Sequence, residues 1–153
     1  MSQCSTNHTT FVIEQSYDVP PAVVFKAFAD RDAKAKWFTS PPDWEREPGE
    51  FDFRVGGREV SGGGPKEGPK HRYEARFQDI VPNERIVSSY DMHLDDLRIS
   101  VSLVTIALKQ EGAGTKLVYT EQAVFLDGHD NAEQREGGTR WLFDMLRQSL
   151  PKT

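Results

Sequence analysis

Residues 130–150, DNAEQREGGTRWLFDMLRQSL, read as one amphipathic helix, and a lone helix of this kind dictates what the rest of the chain must supply. Trp141, Leu142, Met145, Leu146 and Leu150 recur at spacings of three and four, which predicts one apolar stripe with Phe143 at its margin. Glu133, Glu136, Arg140, Asp144 and Arg147 fall on the other side. Asp130 is placed to cap the first turn, with Glu133 completing a capping box. The pairs Glu136 with Arg140 and Arg140 with Asp144 contribute only ~0.2–0.5 kcal/mol each. Burying a large apolar side chain contributes roughly 1.5–3 kcal/mol before ordering costs, so the helix depends on a surface that covers its stripe. Gly137 and Gly138 each lower helix propensity by roughly 1 kcal/mol. Tight packing or a bend is the commoner reason for such a pair, and close approach to a backbone or a bound molecule is the other.

The covering surface is a sheet. The run TFVIEQSYDV, starting at Thr10, alternates Phe11, Ile13 and Tyr17 against Glu14, Ser16 and Asp18. Pro20 and Pro21 end it and suit the first turn of a helix carrying Val24, Ala27 and Phe28, after which Asp30 caps a second short helix reaching Trp37. Over residues 44–110 the apolar period becomes two. Phe51, Phe53 and Val55 alternate ahead of a hairpin signal at Val55-Gly56-Gly57-Arg58, and residues 61–70, SGGGPKEGPK, read as a flexible loop. HRYEARFQDIV, RIVSSYDMHL, RISVSLVTIALK and TKLVYTEQAVFL follow, separated by turns at Pro82-Asn83, Asp95-Asp96 and Gly112-Ala113-Gly114. Short turns between strands imply an antiparallel meander. The expectation is an α+β domain over residues 10–153, preceded by a disordered tail at 1–9. A curved sheet closed over a single helix seldom fills its interior, so an internal cavity is expected.

Composition removes several classes of function. A net charge of -5 does not favour a phosphate backbone, so no nucleic-acid partner is expected. Cys4 is the only cysteine and has no partner for a disulfide, which fits a reducing cytoplasm. The stretch MSQCSTNHTT lacks the basic start and apolar run of a signal peptide, and no apolar run suits membrane insertion, so neither is expected. His8, His71, His93 and His129 are scattered without ligand spacing, so no metal is expected, with His93 facing outward from its strand. No G-x-S-x-G elbow or phosphate loop occurs, and no cofactor is implied.

Strand alternation names the residues that face the interior. With Leu108 opposite Leu117 across the glycine turn, Ile106 faces Tyr119, Val104 faces Glu121, and Ser102 faces Ala123. Ile86, Ser88, Tyr90 and Met92 share one face of the preceding strand, and Tyr73, Ala75 and Phe77 share that of the strand before. A carboxylate on such a face needs a cation or hydroxyl beside it. Glu121 is therefore either a ligand anchor or general base, or a carboxylate satisfied by a neighbouring Tyr or Arg at the rim, and the second is the commoner arrangement. Tyr90 and Tyr119 are orienting groups for a ligand oxygen. On the helix, Gly138, Trp141 and Met145 are candidate ligand-wall residues, although an aromatic and a thioether at that spacing more often belong to core.

The stretches VPPAVVFKAFAD with KWF, FDFRVGGR, QDIVPNERIVSSYDM, VSLVTIAL, GAGTKLVYTEQAVFLDG and REGGTRWLFDML resemble, in order, the bacterial homologues of the activator of the heat-shock-protein-ninety ATPase. These belong to the START-related, birch-pollen-allergen-like (SRPBCC) superfamily. The resemblance implies the helix-grip fold, a curved antiparallel sheet wrapped around a long C-terminal helix with an apolar pocket between them. Its members include lipid carriers, hormone receptors, aromatic cyclases and co-chaperone domains, so fold alone leaves function open. The leading expectation is a cytoplasmic protein that binds or carries a small apolar molecule. The alternatives are a cyclase- or hydrolase-like enzyme using Glu121 as base with a tyrosine as acid, and a co-chaperone-like protein-binding module acting through the exposed sheet face or by homodimerisation.

Overall fold

The computed structural model describes residues 4–152. Strand β1 (Thr6–Tyr17) leads into helices α1 (Pro21–Ala29) and α2 (Arg31–Ala35). Two short strands, β2 (Glu45–Arg46) and β3 (Glu50–Phe51), precede β4 (Arg58–Gly64), β5 (His71–Val81), β6 (Arg85–Leu94), β7 (Leu97–Glu111) and β8 (Gly114–Leu126). Helix α3 (Ala132–Ser149) closes the chain. The strands form one antiparallel sheet in the order β1-β8-β7-β6-β5-β4-β2, with β3 on the side of β4. Register shifts at Gln78 of β5 and at Ile99 of β7, opposite Met92/His93, bend the sheet, as bulges do. The architecture is the helix-grip α+β fold.

The register across the β7–β8 turn pairs Leu108 with Leu117, Ile106 with Tyr119, Val104 with Glu121 and Ser102 with Ala123, as the alternation predicts. Pro21 opens α1, and the Asp30 carboxylate accepts from the Ala33 N–H to start α2. The second helix is shorter than expected, ending at Ala35, while Trp37 beyond it is buried and donates its indole N–H to Ala27 O. No helix among the described residues is long and apolar enough to cross a membrane.

Four further features differ from the sequence reading. Strand β1 starts at Thr6 rather than Thr10, because residues 6–10 find hydrogen-bonding partners along the end of β8, Thr6 opposite Leu126; Met1, Gln3 and the residue between them lie outside the described residues. Residues 61–64 belong to a strand and not to a flexible loop. A Cβ at Gly63 or Gly64 would run into the carbonyl oxygens of Glu45 and Pro69, so these glycines permit close strand approach. Asn131, not Asp130, caps α3 by accepting from the Gln134 N–H.

The last difference is the buried arc of α3, which runs through Arg135, Phe143 and Leu146. Phe143 is 2 % exposed and packs on Tyr119 and Trp37, whereas Trp141 is 42 % exposed. The stripe is rotated toward Phe143 because the core aromatics of β8 and of the α2 connection meet the helix there. Phe143→Ala is expected to cost about 3–5 kcal/mol in chemical denaturation, and Trp141→Ala less than about 1 kcal/mol. Equal losses for the two variants would contradict this placement of the helix.

Candidate functional site

A pocket of about 620 Å³ lies between the inner sheet face, the segment after α2 and the first half of α3. Alternation along β5, β6, β7 and β8 turns Tyr73, Phe77, Tyr90 and Met92 toward it, together with Val104, Ile106 and Tyr119. Gly138 and Trp141 border it from α3. Two residues singled out from the sequence do not line it. Glu121 stands behind the wall, fully buried, and Met145 packs against the core from a later turn of α3.

Glu121 is the centre of a closed polar network. Its Oε1 accepts from the Tyr119 hydroxyl at 2.6 Å, and its Oε2 accepts from the hydroxyls of Tyr90 at 2.6 Å and Ser102 at 2.7 Å. Arg135 Nη1 reaches the same Oε2 at 3.3 Å and donates to the Tyr90 oxygen at 2.8 Å. The other guanidinium arm donates to Ser100 Oγ at 2.7 Å and Asp130 Oδ2 at 2.9 Å. Four donors, three of them on Oε2, surround a carboxylate that is fully buried behind the pocket wall, so Glu121 is engaged within the protein and closed to a substrate. Burial alone would weaken the Arg135 charge, but Tyr90, Glu121 and Asp130 more than offset it and hold the guanidinium above its ordinary range. The arrangement is that of a satisfied carboxylate joining helix to sheet, and a role for Glu121 as general base has no geometric support.

A second buried pair stands in the pocket wall. Lys34 Nζ lies 2.6 Å from Glu59 Oε1, with the ring centres of Phe38 and Phe51 at 4.6 and 5.4 Å from the ammonium. Neither residue stands out in the sequence reading. Glu59 becomes visible once β4 is recognised, since it alternates with Val60 and shares a side with Ser61. Arg135 carried a clearer signal: it lies eight residues before Phe143 and eleven before Leu146, on the buried arc of α3.

The mouth of the pocket carries His71 stacked on Trp44 at 4.8 Å, with His129 and Gln134 nearby. Burial holds the His71 imidazole below its ordinary range, partly opposed by Asp130 and Asp95. On the outer sheet face, Glu74, Asp91 and His93 bring potential ligand atoms within 4.8 Å of one another. Arg72 and Arg98 already pair with the two carboxylates there, and this cationic company opposes a metal ion. An added Cβ at Gly137 or Gly138 meets nothing within 4 Å. The pair therefore does not serve close backbone approach, and at Gly138 it leaves space beside the pocket.

A family model described as Activator of Hsp90 ATPase homolog 1-like protein matches residues 18–150. Among solved structures, a protein from Rhizobium loti is 46% identical with a TM-score of 0.89, over 95% of this chain and 99% of its own. An uncharacterised protein from Rhizobium leguminosarum is 42% identical with a TM-score of 0.90, over 95% and 96%. The AHSA1-like protein from Aeromonas hydrophila shares the fold at 20% identity, with a TM-score of 0.68 over 92% and 91%. No curated protein matches the chain.

All four tyrosines are pushed above the ordinary phenol range, in each case first by burial. Glu121 adds to the effect at Tyr90 and Tyr119. Above the unfolded phenol pKa of about 10, the unfolded chain releases protons that the folded chain retains. Stability is therefore held in full below about pH 10 and falls as pH rises beyond it, by up to ~1.4 kcal/mol per pH unit for each tyrosine. Tyrosinate absorbance should rise together with loss of circular dichroism in an alkaline titration. Ionisation of most tyrosines near pH 10 in the intact fold would contradict the burial of these hydroxyls.

Proposed function

The chain belongs to the Activator of Hsp90 ATPase homolog 1-like family, and from that membership and its pocket we propose that it binds or carries a small, largely apolar molecule. The observation that carries the reading is the pocket of about 620 Å³ walled by Phe77, Tyr90, Ile106 and Tyr119. Protein interiors are otherwise close-packed, and recesses of roughly 300–1,000 Å³ with apolar walls and few polar groups are the usual form of small-molecule sites. Affinity comes from apolar area removed from water, and Tyr73, Tyr90 and Tyr119 supply the polar points of the wall. The saturated Glu121 favours binding over catalysis by a Glu/Tyr pair. With one unpaired cysteine and a net charge of -5, the reading places the protein in the cytoplasm with no nucleic-acid partner.

Gly138→Leu tests the reading. The added side chain enters open space, and leucine favours the helix over glycine by roughly 0.8–1 kcal/mol. The variant should melt no lower than the parent while its uptake of a neutral apolar fluorophore falls at least about 10-fold, equivalent to ~1.4 kcal/mol. Native mass spectrometry of protein purified from its own host should show a retained small molecule in the parent and none in the variant. Unchanged uptake by the variant, or no uptake by the parent, would overturn the proposal.

A further inference from the structure

The buried charges around the pocket are internally matched, and this narrows the chemistry of an occupant; the inference rests on the proposed reading of the pocket as a ligand site. Lys34 is paired with Glu59 at 2.6 Å, and Arg135 is held between Glu121 and Asp130. His71 is kept neutral at pH 7 by burial, and Arg46 is exposed at the mouth. Each buried charge of the wall thus has its counter-charge inside the protein. An anionic ligand reaching Lys34 meets Glu59 beside it, and a cation reaching Glu59 meets Lys34. Either would give up hydration without gaining an uncommitted counterion, which is costly in a desolvated site.

Among the three wall tyrosines one hydroxyl remains uncommitted. The Tyr73 ring is fixed between Phe38 and Tyr90, with ring centres 5.2 and 4.7 Å away, and it faces the pocket. Tyr90 and Tyr119 give their hydroxyls to Glu121, but that of Tyr73 has no hydrogen-bond partner among the described residues. Burial first, and then the nearby Glu59 charge, keep its proton in place, so it is available as a donor at neutral pH. Tyr73 is half-buried, so its hydroxyl faces pocket solvent, and an occupant that displaces that solvent must supply an acceptor in its place.

We infer that the pocket selects an uncharged, mostly apolar molecule bearing an acceptor oxygen, such as a ketone or ester carbonyl, and that the Tyr73 hydroxyl donates to that oxygen. Lys34 and Glu59 act as a neutral pair that excludes ions, and the surrounding aromatic rings hold the apolar body.

Three probes of similar size separate the possibilities: acetylnaphthalene, a neutral ketone; ethylnaphthalene, which lacks the oxygen; and naphthoate, an anion. Binding is followed by fluorescence for the parent and for Tyr73→Phe, with melting temperatures to confirm that both are folded. The ketone should bind the parent roughly 3- to 10-fold more tightly than the hydrocarbon, as for one hydrogen bond, and naphthoate should bind weakest. Tyr73→Phe should remove the ketone's advantage and leave the hydrocarbon unaffected. Tightest binding of naphthoate, or a ketone preference that survives in Tyr73→Phe, would overturn this inference while leaving the pocket a ligand site. Failure of all three probes to bind the folded parent would overturn the ligand-site reading itself, and this inference with it.

Discussion

The contact between Arg135 and Glu121 joins the two layers of the molecule. Arg135 stands in the first turns of α3 and Glu121 on β8, and the network they share also takes in Tyr90 from β6 and Ser100 from β7. A buried ion pair seldom adds much stability over a packed apolar equivalent, because desolvating both charges offsets their attraction. Its effect is directional. Moving Arg135 away strands the Glu121 charge in a medium that cannot solvate it, so α3 is held at one rotation and one height over the sheet. Apolar contacts alone, such as Phe143 on Tyr119, are more tolerant of sliding.

Holding the helix end in this way explains how the fold keeps a pocket beside it. Phe143 and Leu146 fill the core on one part of the helix surface, while Gly138 withholds a side chain on another. The polar network seals the floor behind Tyr90 and Tyr119, and Lys34 with Glu59 forms a second matched pair in the wall. Both pairs place charge next to the pocket without leaving any of it unbalanced. Tyr73, half-buried where Tyr90 and Tyr119 are buried, has no hydrogen-bond partner among the described residues, and the proposed preference for an acceptor oxygen rests on that hydroxyl.

Local pattern was enough to read the sheet. Strict alternation in β5 to β8 set which side chains face inward, and the Gly112-Ala113-Gly114 turn set the register, so that the opposition of Val104 and Glu121 could be stated before any coordinates. The boundaries were harder to see. The tail before Thr10 is polar, and only its partner strand makes it part of β1; the glycines of β4 look like a loop until the carbonyls that crowd them are known. Asn131 and Asp130 are both able to cap, and Asp130 is taken by Arg135. Arg135, Lys34 and Glu59 escaped notice for one reason: a charged residue is assigned to the surface by default, and burial becomes plausible only when its partner, distant in sequence, is placed beside it. The weaker inward placement of Trp141 and Met145 has the opposite origin, since a large apolar residue on a helix need not belong to its buried arc.

The account stands or falls on energetic coupling between helix and sheet through Arg135 and Glu121, and a double-mutant cycle with Arg135→Met and Glu121→Gln measures it directly by denaturant unfolding. Arg135→Met strands the Glu121 carboxylate and should cost about 3 kcal/mol, whereas Glu121→Gln leaves Arg135 paired with Asp130 and should cost about 1.5–3 kcal/mol. The double variant should lose little more than either alone, giving a coupling free energy of at least ~1.5 kcal/mol. Losses that simply add would show that the two residues act independently, and that some other contact fixes α3 on the sheet.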